Sequence, residues 1–230
     1  MIEISNLSKH FFIGERRIDV LRELNLSIKK DKITVILGRS GCGKTTLLRL
    51  IAGLESISQG EIKFKEQAKI GFVFQEPRLM PFLNVYKNIV FALKKHEIEV
   101  EKIDSLISMI GLSDFKFAAV SQLSGGMSSR VSLARVLAYE ANLILMDEPF
   151  AALDAFTRAS MQAEILKIQA GKTILFVTHN IDEALFLADE IILLEKGGIK
   201  SNYELSNLAR PRDLLSEELI VIKRKILSEI

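Results

Sequence analysis

The sequence is short of cysteine and of long apolar runs, and each shortage excludes a class of protein. Cys42 is the one cysteine among 230 residues, so no internal disulfide can form and a reducing compartment is favoured. No apolar run approaches the roughly 18 to 20 residues that a membrane span requires, and the start from Met1 to Ile4 does not resemble a signal peptide. We therefore expect a soluble, cytoplasmic protein, and any membrane span would have to come from another chain.

An excess of charge of one sign is absent as well. The chain has 31 lysines and arginines against 29 aspartates and glutamates. This near balance argues against a protein that binds nucleic acid mainly through charge, and we predict no nucleic-acid partner. Apolar side chains make up 48% of the residues, which suffices for the core of one large α/β domain or of one domain with a subdomain. We expect residues 1–230 to form a single domain.

The most informative stretch is Gly38–Thr45, which reads GRSGCGKT and fits the pattern G-x-x-x-x-G-K-T. The apolar run Ile33–Leu37 before it predicts a buried parallel strand, and Thr46–Ala52 after it predicts a helix that ends at Gly53. We expect the three glycines to adopt positive φ and to turn backbone N–H groups inward. Together with the positive end of the helix dipole, those groups would bind phosphate oxygens. A strand, this loop and a helix in that order favour a nucleotide site over a chance glycine-rich turn.

Single side chains of this loop have predicted roles. Lys44 would place a positive charge at the β- and γ-phosphates, and the Thr45 hydroxyl would ligate Mg²⁺. Cys42 is interpreted as a small filler rather than a nucleophile. The residues predicted to contact the nucleotide are Gly38, Arg39, Ser40, Gly41, Cys42, Gly43, Lys44, Thr45 and Thr46.

Polar residues follow two further predicted strands. Gln75 follows residues 70–74, and Asp147 and Glu148 follow residues 143–146. In open α/β sheets, ligands bind at the carboxyl ends of the strands. Asp147 would hold Mg²⁺ directly or through a water, and Glu148 would orient and deprotonate a water beside a γ-phosphate.

The middle of the chain departs from strand–helix alternation. Residues 85–95 and 99–110 have helical periodicity, and the block from about 78 to 122 predicts an inserted helical subdomain. The turn Ser124–Gly126 then begins another helix, which would present a second helix N-terminus with free N–H groups.

The two ends of the chain give weaker signals. Residues 2–7 and 18–28 predict strands, and Phe11 lies between them. An exposed Phe11 could stack on a base, an interaction worth about 1 to 3 kcal/mol, but spacing alone favours a core phenylalanine at a strand end. Near the other end, Asn180 and Glu183 have the spacing of a helix cap and its third residue. The tail from about residue 212 predicts an amphipathic helix with a solvated basic face.

The order of these motifs resembles that of the ATP-binding subunits of ABC transporters over nearly the whole chain. The matching motifs are the phosphate loop 38–45, the Q-loop residue Gln75, the signature Leu123–Gly126, the Walker B strand that ends at Asp147 and Glu148, the D-loop Ala152–Asp154 and the switch histidine His179. The resemblance implies an α/β fold of the ABC type of P-loop NTPase. Such a fold has a mostly parallel core sheet, an N-terminal antiparallel β subdomain and an inserted α-helical subdomain.

The resemblance also implies a mechanism, with ATP and Mg²⁺ as cofactors. Two subunits would sandwich two ATP molecules head to tail, each phosphate loop facing the signature of the other subunit. The implied catalytic residues are Glu148, His179, Gln75 and Lys44. The implied metal ligands are Thr45, Gln75 and Asp147. The implied nucleotide contacts outside the phosphate loop are Phe11, now as an adenine platform, and Gln75, Ser124, Gly125 and Gly126.

The family resemblance implies partners and a place of action. We expect a second ATPase subunit in a homodimer, a membrane permease and, indirectly, an extracytoplasmic solute-binding protein. The chain would then sit peripherally on the inner face of the membrane. The segments Pro77–Phe82, Ala152–Arg158 and Arg210–Asp213 resemble the importer subgroup for nitrate, sulfonate and taurine, with relatives that serve thiamine precursors. Since this subunit would not touch the solute, the sequence leaves the solute open.

Some positions depart from the family pattern, and other functions remain as alternatives. Met127 stands where glutamine is common, and Ala151 and Ala152 stand where a serine is common. A non-transport ABC ATPase of DNA repair would carry long coiled coils between the phosphate loop and the signature, and one of translation would usually carry two such domains. A P-loop kinase or GTPase would leave the signature and His179 unexplained. A binding module without hydrolysis is disfavoured by the intact Lys44 and Glu148.

Overall fold

The computed structural model describes residues 1–230, which form two compact units. The first unit comprises Met1–Ala68 and Gln169–Ile230, and the second comprises Lys69–Ile168. The strands are β1 (Ile2–Ile13), β2 (Arg16–Ile28), β3 (Ile33–Leu37), β4 (Gln59–Phe64), β5 (Ile70–Val73), β6 (Leu143–Asp147), β7 (Thr173–Thr178), β8 (Glu190–Glu195) and β9 (Gly198–Glu204). The helices are α1 (Lys44–Ile51), α2 (Val85–Val90), α3 (Val100–Met109), α4 (Gly125–Ala138), α5 (Ala155–Ile168), α6 (Ile181–Leu187) and α7 (Glu217–Glu229). None of these helices combines the length and the hydropathy of a membrane span.

The first unit contains an antiparallel sheet with the strand order β2-β1-β4. β1 extends six residues beyond its predicted end at residue 7, since Ile13 still pairs with Arg16 across the turn at Gly14. The extension could not be predicted from the sequence, because Phe12 and Ile13 are adjacent apolar residues that are both exposed. Strand prediction relies on apolar and polar residues that alternate along the chain, and this segment lacks that alternation.

The same unit contains a second sheet with β3 in its interior. β7 and β8 flank β3 and run parallel to it, and β9 pairs antiparallel with β8. Every residue of β3 is buried, as its apolar, β-branched sequence predicts. β9 was not predicted, because six of its seven residues are only partly buried or exposed and its sequence shows no alternation of apolar and polar side chains.

The second unit contains the parallel pair β5–β6 and a group of packed helices. Gly71 of β5 lies so close to α4 that a Cβ there would come 2.4 Å from Val136 Cγ1. We use the name helical cluster for the apolar core formed by Val85, Ile89, Ile103, Ile107, Ile110, Leu112, Val131, Ala134 and Ala138. This core joins α2 and α3 to α4, so the helices of the predicted 78–122 block share their packing with the helix that follows them.

Two helices are shorter than the sequence predicts. α2 ends at Val90 rather than near 95, and the Leu93 N–H bonds the Val90 carbonyl in a turn. α7 begins at Glu217 rather than near 212. Arg212 is buried instead, and its Nη1 donates to the carbonyl oxygens of Leu185 and Ala188 at the end of α6. This anchoring ties the segment before α7 to α6 and delays the start of the helix.

Candidate functional site

The predicted phosphate loop lies between β3 and α1 in the first unit. Gly41 has φ of 79° and Gly43 has φ of 107°, so these two glycines adopt the left-handed backbone that was expected. The same expectation is wrong for Gly38, whose φ is not positive. Gly38 is required by close approach, because a Cβ there would lie 2.4 Å from the carbonyl oxygen of Leu194 in β8. Two different physical reasons therefore account for the glycines of one loop.

Lys44 is buried within the loop that precedes it. Its Nζ donates to the carbonyl oxygens of Gly38 at 2.7 Å and of Arg39 at 3.0 Å, and 5% of the residue is exposed. These bonds hold the ammonium at the centre of the turn, at the N-terminus of α1, where the helix dipole is also positive. The arrangement is suited to a phosphate group, since backbone N–H groups and a fixed cation lie together.

Cys42 packs inside the loop, in agreement with its interpretation from the sequence as a small filler residue. It is half-buried, and a Cβ added at Gly38 would lie 2.7 Å from its Sγ. Burial raises the pKa of the Cys42 thiol, against an opposing effect of the Lys44 charge. A thiol held in its neutral form is a poor nucleophile, which agrees with a filler role.

His179 lies next to the phosphate loop in the first unit. Leu37 pairs with Thr178, so the ends of β3 and β7 are adjacent and the loop leaves β3 beside the exposed His179. The Thr178 hydroxyl accepts the Asn180 N–H at 3.0 Å and donates to Glu183 Oε2 at 2.6 Å. The turn that carries His179 is thus held by hydrogen bonds from the Thr178 hydroxyl to Asn180 and to Glu183.

The predicted helix cap at Asn180 is confirmed, with one difference. Asn180 Oδ1 accepts the N–H groups of Asp182 and Glu183 at 2.9 and 3.3 Å. In a capping box the Glu183 carboxylate would accept the Asn180 N–H. Here Thr178 takes that N–H, and the buried Glu183 bonds the Thr178 hydroxyl instead. The Thr178–Glu183 hydrogen bond was not predicted, because the sequence pattern identifies Thr178 only as the last residue of a strand.

Phe11 lies on β1 of the first unit, opposite Ile18. Its exposed fraction is 36%, so the interpretation as a core phenylalanine is wrong. The ammonium of Lys9 lies 4.5 Å from the centre of its ring. The ring is therefore supported by the protein and still accessible to a planar ligand.

The second unit brings together the polar residues that follow β5 and β6. Val73 pairs with Met146, so Gln75, just beyond β5, and Asp147, the last residue of β6, lie at one edge of this pair. Asp147 is buried, whereas Gln75 is exposed and Glu148 is half-buried. Glu148 has a positive φ of 45°, an uncommon backbone for a residue other than glycine. Carboxylate and amide oxygens at one strand edge form a donor set suited to Mg²⁺.

The predicted signature turn begins α4, also in the second unit. Ser124 is the N-cap, and its Oγ accepts the Met127 N–H at 3.2 Å. A Cβ at Gly126 would lie 3.2 Å from Leu153 Cδ2, so the D-loop packs directly on the turn. Met127 packs against the helical cluster, which gives an apolar side chain a place where glutamine is common in the family.

The loop between β5 and α2 is held in place by one asparagine of α2. Asn88 is fully buried. Its Oδ1 accepts the Met80 N–H at 2.8 Å, and its Nδ2 donates to the carbonyl oxygens of Met80, Leu83 and Asn84. On the surface of the same loop, Phe82 is 80% exposed. A rigid loop therefore presents an aromatic side chain to solvent.

The predicted site residues fall into one group in each unit. The first unit holds Phe11, the phosphate loop with Thr45 and Thr46, and His179. The second unit holds Gln75, the Ser124–Gly126 turn, Asp147 and Glu148. No group of three or more His, Cys, Asp and Glu side chains is arranged to hold a metal by itself.

Known proteins resemble the chain throughout its length. A family model described as ABC transporter matches residues 21–151. An uncharacterised ABC transporter ATP-binding protein of Methanocaldococcus jannaschii is 42% identical over 99% of this chain and 90% of its own. An aliphatic sulfonates import ATP-binding protein of Bacillus cereus is 39% identical over 99% of this chain and 95% of its own.

A solved structure shows the same likeness in three dimensions. The dimeric structure of an ATP-binding cassette in a post-hydrolysis state, bound to ADP and Pi, is 32% identical to this chain. It superimposes with a TM-score of 0.81 over 89% of this chain and 99% of its own. The likeness confirms the predicted α/β fold with its mostly parallel core sheet and N-terminal antiparallel sheet.

Proposed function

The chain belongs to the ABC transporter family, and from that premise we propose that it energises the uptake of a small solute through a separate membrane permease. It is an ATP-binding and ATP-hydrolysing subunit, as its family and relatives are. The proposal adds an import direction and a solute class. The import direction is supported by a relative named for sulfonate import that aligns with 99% of this chain.

The observation that carries the nucleotide site is the phosphate loop with its buried lysine. Contacts within the loop hold two left-handed glycines and the Lys44 ammonium in place at the N-terminus of α1. Preorganised donors of this kind stabilise phosphate charge without reorganisation. The residues Gly38–Thr46 would therefore hold the triphosphate, and the exposed ring of Phe11 would stack on adenine.

The residues for hydrolysis are proposed from their chemistry. Glu148 would accept a proton from the attacking water, and His179 would bond the γ-phosphate and that water. Thr45, Gln75 and Asp147 would ligate Mg²⁺, because hydroxyl, amide and carboxylate oxygens are the donors that this ion prefers. When bound, Mg²⁺ would neutralise charge on the β- and γ-phosphates. Gln75 would report the state of the site to the helices that follow it.

The partners are proposed from the same premise. A second copy of the chain would supply Ser124–Gly126 to the γ-phosphate of each ATP, since the first turn of α4 offers backbone N–H groups. Loss of that phosphate would open the pair. A permease would provide the membrane path, and a solute-binding protein would deliver a nitrate-, sulfonate- or taurine-like solute, or a thiamine precursor. None of the observations favours a role in DNA repair or translation.

A comparison of two glutamate variants tests the ATPase assignment. Glu148→Gln removes the base and keeps a similar shape, so hydrolysis should fall by about 10²- to 10⁴-fold while ATP binding persists. ATP should then hold the variant as a dimer during size-exclusion chromatography. Glu61→Gln, an exposed change on β4, is the matched control. Normal hydrolysis by Glu148→Gln would remove Glu148 from the proposed role.

The neighbouring genes test the transport part separately. A permease gene and a solute-binding protein gene beside this one would support import, and the relatives of the binding protein would narrow the solute. Neighbours from a repair or translation operon would contradict it without affecting the ATPase assignment.

A further inference from the structure

Lys9 is a buried cation in the first unit that the proposed mechanism does not use. Only 5% of the residue is exposed. Its Nζ donates to Glu55 Oε1 at 2.9 Å and to the carbonyl oxygen of Ser56 at 2.7 Å. Burial of a lysine is costly unless the charge is paired and bonded. The site meets that requirement through two contacts to one loop, together with the Phe11 ring at 4.5 Å.

The loop that receives Lys9 is the direct continuation of the phosphate loop helix. It lies between the end of α1 and the start of β4, and the Leu54 N–H bonds the Arg49 carbonyl of α1. Two more bonds join the same loop to β1, from the Ser58 N–H to the Ser8 carbonyl and from the His10 N–H to Ser58 Oγ. Strand β1 is thus fixed to the far end of the helix that begins with Lys44.

A second contact fixes the same hairpin at the near end of that helix. Lys9 pairs with Leu21 of β2. A Cβ at Gly43 would lie only 2.7 Å from Leu21 Cδ2, so β2 packs tightly on the phosphate loop. The β1–β2 hairpin is therefore held at both ends of α1, and Phe11 lies two residues beyond the held position.

We propose that Lys9 is a positioning residue for nucleotide binding. It fixes the Phe11 ring at a set distance from the phosphate loop, so that one nucleotide can stack its base on the ring and place its phosphates in the loop together. The ammonium lies over the Phe11 ring, 4.5 Å from its centre, in a cation–π contact, and the exposed part of the ring would receive the base. This inference rests on the proposed role of Phe11 as the adenine platform.

Two ligands separate positioning from a general effect on stability. ADP needs both the platform and the loop, whereas inorganic pyrophosphate needs the loop alone. Dissociation constants for both, measured by calorimetry, would be compared for the wild type, Lys9→Met, Lys9→Arg, Phe11→Ala and Glu55→Gln. Lys63→Met is the matched control, because this lysine also pairs with a glutamate but is exposed on β4.

The expected result is a loss that depends on the base. Lys9→Met and Phe11→Ala should each raise the Kd for ADP about tenfold and change that for pyrophosphate less than about twofold. The double variant Lys9→Met/Phe11→Ala should have a Kd for ADP within about twofold of that of either single variant. The two changes should not add, because both disrupt the same interaction with the base. Lys9→Arg, which keeps the charge and the donors, should stay within about threefold of wild type. Lys63→Met should bind both ligands normally.

Other results would overturn the proposal in recognisable ways. An equal loss of ADP and pyrophosphate binding in Lys9→Met would show a general structural role. A normal Kd for ADP in Lys9→Met, with a raised one in Phe11→Ala, would refute the role of Lys9 and leave the platform intact. A normal Kd for ADP in Phe11→Ala would refute the platform and this inference with it. If Lys9→Met does not fold, Glu55→Gln tests the role of Lys9 instead, because it weakens the contact that holds the ammonium. A raised Kd for ADP is then expected, and an unchanged Kd would contradict the proposal.

Discussion

The ammonium nitrogen of Lys44 lies 2.7 Å from the carbonyl oxygen of Gly38, at the opposite end of the phosphate loop. The loop therefore holds its own lysine through two backbone carbonyl oxygens. These contacts restrain the side chain, so little conformational entropy should be lost when the ammonium binds a phosphate. The bond also ties the conformation of the loop to a charged group, so removal of that group should affect both the loop and the ligand.

Lys44→Ala should lose nucleotide affinity and some stability together. The Kd for ADP should rise on the order of 100-fold, because a charge-assisted contact to phosphate is lost. The free protein should also melt at a lower temperature, because the Gly38 and Arg39 carbonyls lose their donor. Calorimetry and thermal unfolding measure the two effects. Lys30→Ala, at an exposed ion pair, should change neither, and an unchanged Kd in Lys44→Ala would contradict the assigned role.

Alkylation of Cys42 should be slow at neutral pH and should depend on the ligand. Burial raises the pKa of the thiol, so the reactive thiolate forms only at higher pH than for an exposed thiol. The rate with iodoacetamide should therefore stay low at pH 8 and rise as the pH passes the raised pKa. Bound ATP should protect the thiol, and alkylated protein should bind ATP weakly. A rate like that of glutathione at pH 8 would contradict the burial argument.

Thr178→Val should slow hydrolysis more than it weakens binding. The change keeps the shape but removes the hydroxyl that joins Asn180 to Glu183, so the turn that carries His179 loses its brace. Hydrolysis should fall about tenfold, and the Kd for ADP should change little. Thr173→Val is the matched control, since this buried threonine on the same strand bonds only the Asp31 N–H. Equal hydrolysis by the two variants would show that the brace does not matter.

Asn88→Ala should destabilise the protein more than removal of the N-cap of the same helix by Asn84→Ala. Asn88 makes four hydrogen bonds in a fully buried place, so its loss should cost about 2 to 3 kcal/mol of unfolding free energy. Asn84→Ala removes one N-cap bond to the Lys87 N–H and should cost about 1 kcal/mol. Urea unfolding compares the two variants. A cost for Asn88→Ala no larger than that for Asn84→Ala would contradict the network.

The phosphate loop could be predicted from sequence because its signals are local. A buried strand, two glycines with positive φ, a lysine and a helix all lie within twenty residues of one another, and each has its own residue pattern. The signature turn and the cap at Asn180 are equally local, since a serine or asparagine bonds amides two or three residues away. Motifs of this kind are set by backbone geometry that nearby residues determine.

The contacts that sequence reasoning missed join residues far apart in the chain. The need for glycine at position 38 comes from Leu194, and the partners of Lys9 lie at Glu55 and Ser56. Arg212 donates a hydrogen bond to the C-terminal end of α6, a helix that ends more than twenty residues earlier in the chain. No residue type or spacing near either member reveals such a pair, because tertiary packing chooses the partner.

The register of β3 sets the order in which the protein can mature. Ile33 pairs with Ile174 on one side, and Thr34 pairs with Glu190 on the other, so the strand that feeds the phosphate loop gains its neighbours only late in synthesis. The sheet of β1, β2 and β4 has all its strands by Phe64. On the ribosome, loop closure over so long a separation must wait for the chain to emerge. A nascent chain released before β7 and β8 would thus hold the sequence of a nucleotide site without the sheet that supports it.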